Sequence, residues 1–299
     1  MTDTPFRCSG ASVARDEPLA GTASTVRSWL LLEHPGPWGR AAFADARHDT
    51  DGLGGEIARR CRRANVRPLL VRRVDREIAP VRPTCFVVRS GPEAAWIERT
   101  SLRRLDDALS IDLSALGRGE RPGLDRHDDP LFLVCTHGRH DVCCAERGRP
   151  LARALASVLP EQTWEVSHIG GDRFAGNVVA MPHGLYFGRV EPEQAEDVAR
   201  GYLDGRVSLR HLRGRSTLPM PAQFAEHALR VALRLERIDD LEVTSVVQDA
   251  EATSVTVRTP DGDRVLTVVT DRAQPHALTC RAGQEEAAPA YRVVEMTPV

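Results

Sequence analysis

Apolar residues in this chain fall into short blocks separated by polar segments rich in glycine and proline. Trp29 to His34 (WLLLEH) opens on an unbroken apolar run, the mark of a buried strand, and the turn signal PGPWG (Pro35 to Gly39) ends it. Residues 53–64 carry helical periodicity. Residues 67–73 and 84–89 read as strands, 93–98 continue strand-like and 101–109 form a short helix. This alternation predicts an α/β unit over residues 26–120. Residues 1–25, polar and rich in Gly, Ser, Thr and Ala, read as a loosely ordered lead-in. The charged stretch GRGERPGLDRHDDP (117–130) reads as a linker.

A second unit, 126–215, reads in the order β-α-β-loop-β-β-α. Leu131 to Val134 is an apolar strand, and residues 135–144 form a cysteine-bearing loop. Residues 147–158 make a helix with Leu151, Leu155 and Val158 on one face. Thr163 to Val166 is a strand, 167–173 a glycine-bearing loop, and Asn177–Met181 and Leu185–Val190 are strands joined at Pro182 to Gly184. Pro192 opens a helix that runs to about Leu203. This is the thioredoxin-like order with its middle helix shortened. Residues 218–299 begin with a helix over 221–236, followed by strands at 242–248, 253–258 and 264–270. The fold class is therefore α/β: a thioredoxin-like central domain, an N-terminal α/β unit and a small C-terminal α+β extension.

Composition narrows the chemistry. With 41% hydrophobic and 27% charged residues, the chain can bury a core without disulfides. A net charge of -2 gives no global pull toward nucleic acid or anionic membranes. All 40 basic residues are arginine, which points to the GC-rich genome of a high-GC bacterium and excludes Schiff-base and P-loop lysine chemistry. No apolar run reaches the roughly 20 residues of a membrane span, and no secretory signal opens the chain, so the sequence reads as cytoplasmic. Seven cysteines do not form a secreted disulfide framework, and three of them, Cys135, Cys143 and Cys144, lie within ten residues. The other four, Cys8, Cys61, Cys85 and Cys280, are scattered and read as buried structural thiols.

Two constellations carry chemistry. In CTHGRHDVCCAERGRP (135–150), Cys135 ends a buried strand and Cys144 begins a helix. Ligands in α/β sheets gather at such strand ends, and a helix N-terminus favours the thiolate that binds metal or attacks disulfides. His137 and His140 share the loop. In SHIGGDRFAGN (167–177), His168 follows a strand, and Gly170 and Gly171 let the backbone turn sharply toward an anionic group. Asp172 and Arg173 follow, the arginine either compensating charge at the site or lying on the surface. A thioredoxin-like order brings these two loops to one end of the sheet. GLGGEIARRC (52–61) lacks a full dinucleotide fingerprint and reads as a helix entry. RVSLRHLRGR (206–215) reads as a solvated basic face, with docking of an acidic redox partner as the alternative.

CTHGRHDVCCAERGRP, WEVSHIGGDRFAGN and MPHGLYFGRV, with EPLAGTASTVRSWLLLEHPGPWG upstream, resemble the signature blocks of the sucrase/ferredoxin-like family, thioredoxin-like ferredoxins. The resemblance implies a [2Fe–2S] cluster held by two cysteines spaced C-x8-C and two histidines spaced H-x3-H. Cys135 and Cys144 fit the first pair and His168 the first histidine; the second histidine position holds Asp172. Asp172 could serve as a hard fourth ligand, Cys143, His137 or His140 could replace it, or the cluster could be lost. The implied function is a one-electron carrier or redox sensor with a protein partner, not an enzyme with its own substrate. Its rivals are a thiol-redox enzyme using Cys144, resolved by Cys135 or Cys143, and a structural zinc site on the same ligands.

Overall fold

The computed structural model describes residues 5–45, 52–75, 82–91 and 94–298; residues 1–4 of the lead-in and the first residue of the 93–98 segment lie outside these. The N-terminal part comprises helices α1 (Cys8–Ala14), α2 (Leu53–Arg63) and α3 (Leu113–Arg118) and strands β1 (Ser28–Glu33), β2 (Arg67–Arg73), β3 (Thr84–Arg89), β4 (Trp96–Ser101) and β5 (Asp125–His127). The central part comprises β6 (Leu131–Cys135), α4 (Val142–Val158), β7 (Thr163–Val166), β8 (Val178–Met181), β9 (Leu185–Phe187), α5 (Ala195–Leu203) and β10 (Leu212–Arg215). Helix α6 (Met220–Leu233) and strands β11 (Glu242–Gln248), β12 (Thr253–Arg258), β13 (Arg264–Arg272) and β14 (Pro289–Pro298) complete the chain.

The two α/β units share one ten-stranded sheet, ordered β10-β9-β8-β6-β7-β2-β1-β3-β4-β5. In the central unit, β6 and β7 run parallel while β8 and β9 pair antiparallel, which is the thioredoxin-like arrangement. The N-terminal unit repeats it: β1 and β2 are parallel, and β3 and β4 are antiparallel. The copies meet edge to edge at β2 and β7, antiparallel, with Val71 opposite Val166 and Arg73 opposite Trp164. That register places Glu33, Val71, Val166 and Cys135 in one row across four strands. The loops leaving β1 and β6 therefore emerge side by side, and the His137 imidazole lies 2.6 Å from the Gly39 carbonyl. The duplication is only faint in the sequence because the two loops diverge in composition and length.

Strand alternation builds the layers. Leu131, Leu133 and Cys135 of β6 join Trp29, Leu31, Trp164 and Tyr186 in one core that crosses both units. Phe132 and Val134 face α4 and α5 through Leu151, Leu155, Val198 and Tyr202. Leu30 and Leu32 pack with Ile57 and Cys61 of α2 and Leu116 of α3. A four-stranded antiparallel sheet, β11 to β14, packs Val255, Val257, Leu266 and Val268 against Ala222, Ala225 and Leu229 of α6.

Four readings of the sequence change. The lead-in is built into the fold: its residues 8–14 are helical, and Ala23 is fully buried against the shared core. Small and hydroxylated residues suit it to line polar groups, as where the Ser24 hydroxyl donates to the Ile169 carbonyl at 3.0 Å. Within the segment read as a linker, residues 125–127 form β5, which extends the sheet beyond β4. Helix α4 starts five residues early because Asp141 caps it, accepting the Cys143 N–H at 2.8 Å. A fourth C-terminal strand, 289–298, also pairs with β13.

Candidate metal centre

Backbone constraints bring Cys135, Cys144 and His168 together. Cys135 is the last residue of β6, and its N–H donates to the Asn177 carbonyl at 3.0 Å. Helix α4 crosses directly over this strand end, where a Cβ on Gly148 would overlap the Cys135 carbonyl oxygen. The Asp141 cap fixes the first turn of α4 and so sets Cys144 against Cys135. His168 follows β7, and its backbone N–H donates to His137 Nδ1 at 3.2 Å. Gly170 and Gly171 then take left-handed φ values of 98° and 79°, turning Asp172 back beneath His168.

Donor atoms of Cys135, Cys144 and His168 all lie within 4.8 Å of one another, as do those of His140, His168 and Asp172. The Cys144 thiol donates to Asp172 Oδ1 at 3.1 Å. His168 Nδ1 lies 2.9 Å from the same oxygen, yet the pair lacks hydrogen-bond alignment and Nδ1 is buried without a hydrogen-bond partner. The His140 ring stacks on His168 with centroids 3.7 Å apart, and its Nε2 is 3.8 Å from Asp172 Oδ2.

The four residues weighed for the fourth position separate. His137 has both nitrogens engaged: Nε2 donates to the Gly39 carbonyl and Nδ1 accepts from His168 N–H, which positions the loop but leaves no lone pair for a ligand. Cys143 groups elsewhere: its sulfur lies 3.3 Å from that of Cys280, apart from the cluster of Cys135, Cys144 and His168. Asp172 and His140 stay at the site.

Charge here is shared. The neighbouring Cys144 and His168 hold the Cys135 thiol well below the ordinary range against burial, while Cys135 and burial push Cys144 up. Burial pulls the His168 imidazolium down, but Asp172 and Cys135 outweigh it and raise its pKa to about 9. Burial works against the Asp172 carboxylate, and His168 and the Cys144 thiol hold it ionised. Desolvation, reinforced by His168, lowers His140.

Arg173 does not compensate this charge; its Nε pairs with Glu17 at 2.6 Å. The cation that does is Arg213, which sequence reasoning placed on a basic surface stretch. It is 1% exposed, and among the described residues it has no carboxylate partner. Its guanidinium donates to the Gly170 carbonyl at 2.9 Å, Asn177 Oδ1 at 2.8 Å and the Thr22 carbonyl at 2.5 Å. A Cβ on Gly171 would overlap this guanidinium, so that glycine also makes room for the cation. All four residues of the strand LRGR are buried, Arg215 on Glu226 at 3.2 Å, whereas Arg206 and Arg210 of the same basic stretch are exposed.

The sucrase/ferredoxin-like family model matches residues 19–214, about two-thirds of the chain. Altered inheritance of mitochondria protein 32 of Meyerozyma guilliermondii is 33% identical over 101 residues, covering 26% of this chain and 36% of that protein. The protein of the same name from Clavispora lusitaniae is 33% identical over 110 residues, covering 32% and 40%. The chain thus spans well under half the length of these curated relatives. They are yeast proteins and lend no support to a high-GC bacterial source. A thioredoxin-like [2Fe–2S] ferredoxin from Aquifex aeolicus aligns at 18% identity and a TM-score of 0.28, covering 31% of this chain and 97% of that one. Among the described residues no helix is long and apolar enough to cross a membrane.

Proposed function

This chain belongs to the sucrase/ferredoxin-like family, and on that premise we propose that it binds a [2Fe–2S] cluster through Cys135, Cys144 and His168 and works as an electron carrier or redox sensor. The observation that carries the reading is the convergence of two buried thiols and an imidazole from three separate segments, their donor atoms within 4.8 Å of one another. Thiolate and imidazole are the donors that iron–sulfur centres take, so the residues present fit the group. Bound there, the cluster would supply one-electron transfer at a potential raised by imidazole in place of thiolate. The fourth donor is Asp172 or His140, the two residues that share the pocket with His168.

The protein's own groups prepare the site. Burial of Cys135 and Cys144 excludes water, and Arg213 sets a fixed positive charge behind the thiolates. His137 fixes the path of the His168 backbone. His140 and His168 are the part-exposed members, so electrons would enter or leave at their edge. Arg139 and Arg149, lining the adjoining groove with Trp38, favour an acidic protein partner. A reducing compartment, the cytoplasm in this reading, keeps such thiols available.

Reconstituting the Cys135→Ser and His168→Cys variants with iron and sulfide tests the assignment. Cys135→Ser should lose the visible chromophore, and His168→Cys should keep it at a lower midpoint potential. An unchanged midpoint in His168→Cys would remove His168 from the ligand set. Chromophore retained at full strength in Cys135→Ser would overturn the assignment of Cys135.

A further inference from the structure

Two of the cysteines read as scattered structural thiols, Cys8 and Cys280, gather with Cys143 at a second place. Cys8 opens α1, Cys143 lies in the first turn of α4, and Cys280 sits between β13 and β14. Their sulfurs meet: Cys143 to Cys280 is 3.3 Å and Cys280 to Cys8 is 3.5 Å. Both Asp141 carboxylate oxygens lie 3.8 Å from the Cys8 sulfur. All four donor atoms fall within 4.8 Å of one another.

We propose that Cys8, Cys143, Cys280 and Asp141 form a metal site for a zinc ion, separate from the centre at Cys135. Asp141 is 1% exposed, and among the described residues no cationic side chain pairs with it. A buried carboxylate beside three buried or half-buried thiols calls for a cation. The backbone aims the donors inward: Cys143 N–H and Cys280 N–H donate to the two Asp141 oxygens at 2.8 and 2.7 Å, and Cys8 N–H points at the Cys280 sulfur at 3.4 Å. With zinc–sulfur bonds of about 2.3 Å, tetrahedral geometry separates thiolates by about 3.8 Å, so the group needs to open by only a few tenths of an ångström. A disulfide, at about 2.05 Å, could join two of the sulfurs and would leave the third thiol beside a carboxylate held by backbone N–H groups alone. Cys143 also lies in the first turn of α4, where the helix N-terminus favours a thiolate.

Such an ion would tie the N-terminal segment and the C-terminal sheet to α4, the helix that carries Cys144.

Metal analysis of the full chain, purified anaerobically, separates this site from the other. Wild type and a Cys135→Ser/Cys144→Ser double variant should each hold about one zinc per chain, as one four-donor site requires. A Cys8→Ser/Cys280→Ser double variant should lose zinc at least about tenfold while keeping its iron. Metal-stripped Cys135→Ser/Cys144→Ser protein given Co²⁺ alone should show thiolate-to-cobalt charge-transfer absorption, and adding Cys8→Ser/Cys280→Ser to that same background should abolish it. Cys280→Ser alone, at a half-exposed loop position, gives the same comparison should the double variant fail to fold. Wild type without zinc or cobalt absorption, zinc that follows Cys135 and Cys144, or a mass two hydrogens low from a disulfide would each overturn the proposal.

Discussion

Replacing Arg213 with methionine tests how the Gly170–Asp172 turn is held. Methionine keeps the apolar stem near Phe174 and Tyr186 but removes four donations: to Gly170 O, Asn177 Oδ1, Thr22 O and, at 3.1 Å, Thr22 Oγ1. Asn177 Oδ1 would be left buried and unsatisfied and the two part-buried carbonyls would lose this donor, at about 1–3 kcal/mol each, a gross loss of at most about 3–9 kcal/mol. The substitution also relieves a cost. Burial has drawn the Arg213 pKa from 12.5 to about 10, which corresponds to about 3 kcal/mol spent on holding the charge. The net expectation is a destabilisation of about 3 kcal/mol, with the two glycines loosening first. Urea unfolding of the metal-free protein measures the total, and amide hydrogen exchange at residues 170–172 locates it. A change below about 0.5 kcal/mol, the level of an inert surface substitution, would refute the reasoning.

Three further outcomes follow from the same geometry. Gly148→Ala gains helix propensity but drives a methyl group into the Cys135 carbonyl, so α4 must shift from β6; a loss of about 2 kcal/mol in urea unfolding is expected, and a gain would contradict that close approach. Alanine at Asp172 and at His140, made separately and reconstituted, should differ: the true fourth ligand loses most of the chromophore, whereas equal full retention in both would exclude the pair. His183, whose Nδ1 lies 2.6 Å from the Tyr202 hydroxyl, is held neutral by burial and by Arg215, with its pKa lowered to about 4. The unfolded chain takes up this proton below about 6.5 and the fold resists until about 4, so stability falls as pH drops across that window, by at most about 3 kcal/mol. His183→Gln should flatten the pH dependence of the urea midpoint between 7 and 5 relative to wild type, and an identical slope would contradict the assignment.

Much of the site was legible because its residues are held by local signals. Strand-ending Cys135 and His168 follow apolar runs, and Gly170–Gly171 announces the turn. What the sequence hid was long-range. The edge pairing of β2 with β7 depends on a register no local pattern encodes, and it brings the loops of both units together. Arg213 looked like one more exposed cation because burial of a charge is decided by the carbonyls that meet it, here from residues 22 and 170. Cys8 and Cys280 are 272 positions apart, so no spacing rule could join them. The structure sets Asp172, which replaces the second histidine of H-x3-H, beside His168, with His140 stacked on the same ring as a second candidate.

The central claim is that Cys135, Cys144 and His168 hold a [2Fe–2S] cluster, and the most direct measurement is the visible spectrum of anaerobically purified protein with iron and acid-labile sulfide counted per chain. The account predicts a brown protein carrying about two irons and two sulfides. A colourless protein, still free of iron and sulfide after reconstitution, would contradict it.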